Sequence, residues 1–104
     1  MKVNKRSIEG YLIFDLLEDI TYENARKLDA FITANLDPSI PNIVLNIKTV
    51  SYVNSFALGV LIKTMQEVEQ KGCAFHLMNV HPDVITLLKV TGVLSKFKIF
   101  EKSV

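Results

Sequence analysis

The sequence predicts an α/β fold: a mixed sheet of about five strands with three to four helices packed on it, opening with a β-hairpin. Three observations lead there. Two strand-like segments come first, separated only by Glu9-Gly10. After Thr21 the apolar period changes from two to nearly four. Helical and strand-like segments then alternate to the end, as they do when crossover helices join the strands of one sheet.

The first strand, residues 3–8, carries Lys5 and Arg6 and alternates poorly, as a charged edge strand does to avoid pairing with other molecules. The second, 11–17, is rich in residues that suit a pleated sheet and ends at the acidic pair Glu18-Asp19. The first helix starts at Thr21, which caps it, and places Ala25, Leu28, Ile32 and Leu36 on one stripe with Phe31 beside it. Asp37-Pro38 ends it, because a residue before proline disfavours the helical region. Residues 43–47 are apolar at almost every position, which predicts a central strand buried on both faces. The second helix buries Leu58, Leu61, Ile62, Met65 and Val68, is capped by Asn54 or Ser55, and closes at Gly72. A strand at 74–78, a third helix from Pro82 with Val84, Ile85, Leu87 and Leu88 as its apolar face, and a strand at 97–100 complete the order.

The 104 residues are 49% apolar and 22% charged, which suits a single folded domain spanning 1–104. Twelve Lys and Arg against eleven Asp and Glu leave a net charge of +1, too small for the sustained positive field that nucleic acid or an anionic membrane requires. No apolar run approaches the roughly 20 residues of a membrane span. Met1-Lys2-Val3-Asn4-Lys5-Arg6 leads into no signal-peptide core, so the expected location is the cytoplasm. Cys73 is the sole cysteine and forms no internal disulfide.

Catalytic chemistry finds little purchase. Cys73, His76 and His81 lie within nine positions, yet strand alternation sends Cys73 and His76 to opposite faces, and ordinary strand and turn roles are the expectation. Ser55 lacks the glycine two residues earlier that a hydrolase elbow needs, Val53 standing there, and His81 with Asp83 reads as a helix start. Glu18 and Asp19 read as a solvated strand end. No glycine-rich phosphate loop occurs, so no cofactor is expected. Lys2, Lys5 and Arg6 near one end and Lys96, Lys98 and Lys102 near the other are read as solvated surface.

The order of elements, the strand Leu45-Asn46-Ile47, the stretch Val53-Asn54-Ser55-Phe56-Ala57-Leu58-Gly59 and the later Thr91-Gly92-Val93 with Phe97 and Phe100 resemble the STAS domain, the fold of bacterial anti-sigma factor antagonists. Nearly the whole chain takes part. In that family a strand ending in Leu-Asp-Leu leads to Asp-Ser-Ser/Thr-Gly-Leu-Gly at a helix start, where a kinase that is also the anti-sigma factor phosphorylates the second hydroxyl. Aligned on Leu58-Gly59, that acceptor falls on Phe56, the following glycine on Ala57 and the preceding aspartate on Asn54. Asn46 replaces the strand aspartate, and Thr21 stands where a further aspartate is usual. Phe56 has no oxygen to receive a phosphate, and Ser55, where the family also has a serine, fits the cap role better than that of a phosphosite.

The resemblance implies a non-enzymatic interaction module that binds a regulatory protein through Ser51, Tyr52, Asn54, Ser55, Phe56, Ala57 and Leu58, without the standard phosphorylation switch. The implied partner is an anti-sigma factor of the ATP-binding kinase type or another STAS signalling protein, with a homodimer as a further possibility. Phe56 has two readings, a first-turn residue folded onto the core or an exposed anchor for the partner. A rival function is an accessory domain of a transport system or a small-ligand or lipid-binding module, with Val84, Leu87 and Val90 facing the partner.

Overall fold

The computed structural model describes residues 1–100. Along them run β1 (Val3–Ile8), β2 (Tyr11–Leu16), α1 (Ala25–Ala34), β3 (Asn42–Asn46), α2 (Ser55–Gln70), β4 (Ala74–Met78), α3 (Pro82–Val90) and β5 (Lys98–Phe100), with a 3₁₀ turn at Leu94–Lys96. The strands form one sheet in the order β1-β2-β3-β4-β5. The opening hairpin is antiparallel and every later pair is parallel.

That order decides where the helices go. Each parallel strand is added on the same side of its predecessor, and right-handed crossovers then put α1, α2 and α3 on one face of the sheet. Leu12, Phe14 and Leu16 of β2, Ile43 and Leu45 of β3, and Phe75 and Leu77 of β4 point to that face and pack with the buried residues of all three helices. The opposite face carries no helix among the described residues. Its centre is nonetheless dry, because Ile13, Val44 and Met78 form a small cluster flanked by Tyr11 and Phe100. β3 is therefore central and buried on both sides, as its sequence predicts, with side chains instead of a helix covering its second face.

Local chemistry explains the boundaries. Glu9 and Gly10 both have positive φ, 46° and 86°, as the tight turn of the hairpin requires. Helix α1 begins at Ala25, later than the apolar period suggests, because residues 22–24 form turns in front of it. Thr21, expected to cap the helix, instead closes this preceding turn: its Oγ1 accepts the Asn24 N–H at 3.1 Å, and Asn24 Oδ1 accepts the Thr21 N–H at 2.7 Å. Leu36 lies beyond the last turn of α1, partly buried against the core. Helix α2 ends in a Schellman motif, with Cys73 N–H donating to Val68 O and Gly72 N–H to Glu69 O, and Gly72 takes φ +82°. Ile47, just past β3, stays buried and donates its N–H to Met78 O at 3.0 Å. Phe97, read from the sequence as strand, precedes β5 and plugs the core after the 3₁₀ turn.

β1 and β5 are the two edges of the sheet, so the two groups of basic residues sit on opposite sides of the molecule and do not converge; Lys102 lies outside the described residues. On β1, Arg6 pairs with Asp15 of β2 at 2.6 Å, and Asn46 Nδ2 reaches the same carboxylate at 2.8 Å. Burial pushes the Asp15 carboxyl up, but the hydrogen bonds from Arg6, Asn46 and Asn4 outweigh it and hold the group below the ordinary carboxylate range.

Candidate partner-binding surface

The segment 47–54 connects β3 to α2 and is pinned at both levels. Val50 and Val53 are buried beneath it, while Thr49 Oγ1 donates to Leu16 O at 2.8 Å. Asp19 Oδ1 accepts the Ser51 N–H at 3.1 Å, tying the segment to the end of β2. Asn54 rather than Ser55 caps α2, since its Oδ1 accepts the Ala57 N–H at 2.8 Å. Ser55 is the first helical residue and is exposed.

The acidic pair Glu18-Asp19 is thus structural as well as solvated. Glu18 accepts from Asn24 Nδ2 at 2.8 Å and from the Lys2 N–H at 3.1 Å, and these bonds, Asn24 first, lower its carboxyl pKa. Asn24 is buried and fully engaged, so the entry to α1 has a fixed position against the β3–α2 segment.

The residues expected at the surface divide. Ser51 and Tyr52 are exposed, Asn54 and Phe56 are half-buried, and Ala57 and Leu58 point inward, at 0% and 5% exposure, where they hold the helix start against the core. Phe56 is neither a fully buried core residue nor a free anchor. Its inner edge packs on the core; Tyr22 lies 4.5 Å away, centroid to centroid, and the Arg26 guanidinium carbon sits 5.4 Å above the ring. Tyr22, in the turn before α1, and Arg26, off the apolar stripe of that helix, escape sequence reading, and only the packing of α1 and its entry on α2 brings them to Phe56, thirty or more positions away.

Of the large apolar side chains exposed among the described residues, the three most open are Tyr22 at 67%, Tyr52 at 67% and Val90 at 79%. They border the first turn of α2 or the segment that leads into it. Tyr22 leans on Phe56, and Tyr52 and Val90 line a shallow groove of about 260 Å³ between the β3–α2 segment and α3, together with Leu87, Thr86 and Asp83. Val84, grouped with Leu87 and Val90 by sequence, is instead buried in the core. A second groove, about 340 Å³, runs between α1 and α2 and is lined by Arg26, Asp29, Phe56, Val60 and Lys63. Lys63 bridges the helices there, bonding Glu67 on its own helix and Asp29 of α1 at 3.3 Å; Glu67 and then Asp29 raise its pKa.

The histidines and the cysteine stand apart. His76 lies on the helix-free face, stacked on Phe100 at 4.7 Å with Nδ1 3.0 Å from Ile43 O. His81 caps α3 by accepting the Asp83 N–H, and Cys73 sits in the turn before β4.

The sequence model of the STAS domain matches residues 2–104, and the chain belongs to that family. It is 27% identical over 99 residues to BtrV of Bordetella bronchiseptica, provisionally named an anti-sigma factor antagonist, an alignment covering 95% of this chain and 85% of that protein. Among solved structures it is similar to a protein from Thermotoga maritima with the same provisional name, at a TM-score of 0.85 and 20% identity over 96% of this chain and 86% of the other. A sulfate transporter family protein from Wolinella succinogenes shares the fold at a TM-score of 0.78 and 14% identity, over 89% of this chain and 78% of the other. No helix among the described residues is long and apolar enough to cross a membrane.

Proposed function

We propose that this STAS domain is a non-enzymatic, cytoplasmic regulatory module of the anti-sigma factor antagonist type, which binds its partner with the surface around the start of α2 and receives no phosphate at position 56. The observation that supports the reading is where the three most exposed large apolar side chains lie: Tyr22 against Phe56 in the first turn of α2, and Tyr52 with Val90 along the groove beside the segment that leads into α2. In this reading Ser51, Asn54, Ser55 and the outer edge of Phe56 are further contact residues, while the buried Ala57 and Leu58 hold the helix start against the core.

The names of the Bordetella and Thermotoga proteins favour an anti-sigma factor as the partner, and the family resemblance favours one of the ATP-binding kinase type. Phenylalanine at position 56 removes the hydroxyl through which such a kinase would release its antagonist, so the complex persists whether or not ATP is present. The transport reading has only a shared fold behind it.

Intact-mass measurement after incubation with an anti-sigma kinase of the source genome and ATP tests the reading, alongside calorimetric titration of the same pair. Binding with an unchanged mass is expected. A stoichiometric phosphate adduct on Ser55, or no binding to any such kinase, contradicts it.

A further inference from the structure

The groove between α1 and α2 holds a cation without an ion-pair partner among the described residues. Of its two basic residues, Lys63 is committed to Asp29 and Glu67, whereas Arg26 forms no ion pair among the described residues. Its guanidinium is held over the Phe56 ring instead, and that ring is fixed in turn by Tyr22 and by the edge of the core. An aromatic face attracts the cation without using its N–H groups as a carboxylate does, so the donors of Arg26 remain available in a restrained position. The first turn of α2 beside it contains no acidic residue to take them up.

We infer that this groove is the receptor for an acidic segment of the protein partner: an Asp or Glu carboxylate pairs with Arg26, and an adjoining apolar side chain lies against Phe56 and Val60. The inference rests on the proposed partner-binding role of the helix start and names the chemistry it selects. Two features argue for a carboxylate-bearing segment. Of the charged side chains lining the groove, Lys63 and Asp29 are paired with each other and Arg26 alone has no ion-pair partner among the described residues. Guanidinium binds carboxylate in a bidentate geometry that fixes orientation as well as adding affinity. Such a segment also gives Phe56 a use in place of the missing hydroxyl, since the ring both positions Arg26 and forms the apolar half of the receptor.

The test has two arms. In the first, the anti-sigma kinase of the source genome is titrated with the parent, Arg26→Gln, Arg26→Lys, Arg26→Glu and Lys27→Gln, the last removing an exposed cation one position along the same helix. Arg26→Gln is expected to weaken binding about tenfold and Arg26→Glu more, Arg26→Lys to fall between parent and Arg26→Gln, and Lys27→Gln to leave affinity unchanged. Unchanged affinity in Arg26→Gln, or an equal loss in Lys27→Gln, overturns the acidic-segment receptor while leaving the antagonist reading intact. In the second arm the purified chain selects from displayed random peptides, which needs no knowledge of the partner. Enrichment of Asp and Glu beside apolar residues, with binding abolished in Arg26→Gln, supports the receptor even where no anti-sigma kinase binds, in which case only the antagonist reading fails. Selected peptides without acidic enrichment, or indifferent to Arg26, overturn it.

Discussion

The middle and the start of α2 lie on one helix and obey different rules. In the middle, Leu61, Met65 and Val68 are buried against the sheet, and their spacing alone announces it. At the start, Phe56 is half-buried and its neighbours are Arg26 from α1 and Tyr22 from the turn before it. The middle is specified by the period of its own segment. The start is specified by how two helices pack, and it retains apolar surface that folding does not consume and a cation without an ion-pair partner among the described residues. A region whose residues exceed what its local fold requires is where a partner is to be sought.

The sharpest way to break this contrast is to cut into the middle. Leu61→Ala removes a buried side chain and leaves a cavity, and should cost about 2–5 kcal/mol, whereas Lys63→Ala, two positions along on the exposed side, should move the urea midpoint far less. Equal midpoints would contradict the assigned helix face. Next comes the cap. Asn54→Ala should cost about 1 kcal/mol through loss of the bond to the Ala57 N–H, and Ser55→Ala should leave stability near the parent; the reverse order in thermal melting would reassign the cap.

A smaller effect comes from the opposite face of the sheet. The Asp15 carboxyl is held below its ordinary range in the folded state, so the unfolded chain takes up its proton more readily. Stability from this group is present above the ordinary carboxylate pKa of about 3.9 and is lost as pH falls through and below it. Asp15→Asn should therefore flatten the decline of the urea midpoint between neutral and acidic pH. An acid limb as steep as that of the parent would show that Arg6 and Asn46 contribute nothing through that carboxylate.

Much of the fold was legible in the sequence because local rules and burial agree. The charges of β1 announced an edge strand, the unbroken apolar run of β3 announced the centre of the sheet, and Gly72 announced the end of α2. Thr21 was read as the cap of α1, but residues 22–24 form turns and Asn24 directly precedes the helix; Thr21 instead closes that preceding turn by exchanging hydrogen bonds with Asn24. The 3₁₀ turn at Leu94–Lys96 carries no periodic signal, being too short for one. The family resemblance pointed to Ser51, Tyr52, Asn54, Ser55, Phe56, Ala57 and Leu58, of which Ala57 and Leu58 face the core, and the apolar excess of Val84, Leu87 and Val90 pointed to a different partner, with Val84 buried. Neither pointed to Tyr22 or Arg26, since one looks like an ordinary turn residue before α1 and the other like an ordinary residue on its solvent side until the helices are packed together.

The central claim is that Phe56 serves partner recognition more than folding, and Phe56→Ser tests it most directly when stability and affinity are measured on the same protein. The ring is half-buried, so melting should show a loss of about 1–2 kcal/mol, below the roughly 3–5 kcal/mol of a fully buried phenylalanine. Titration of the well-folded variant with the anti-sigma kinase that binds the parent should show an affinity lower by about 2 kcal/mol or more, as truncated aromatic anchors do. A variant that folds and binds as tightly as the parent would contradict the account, as would one whose loss of binding only follows a collapse of the fold.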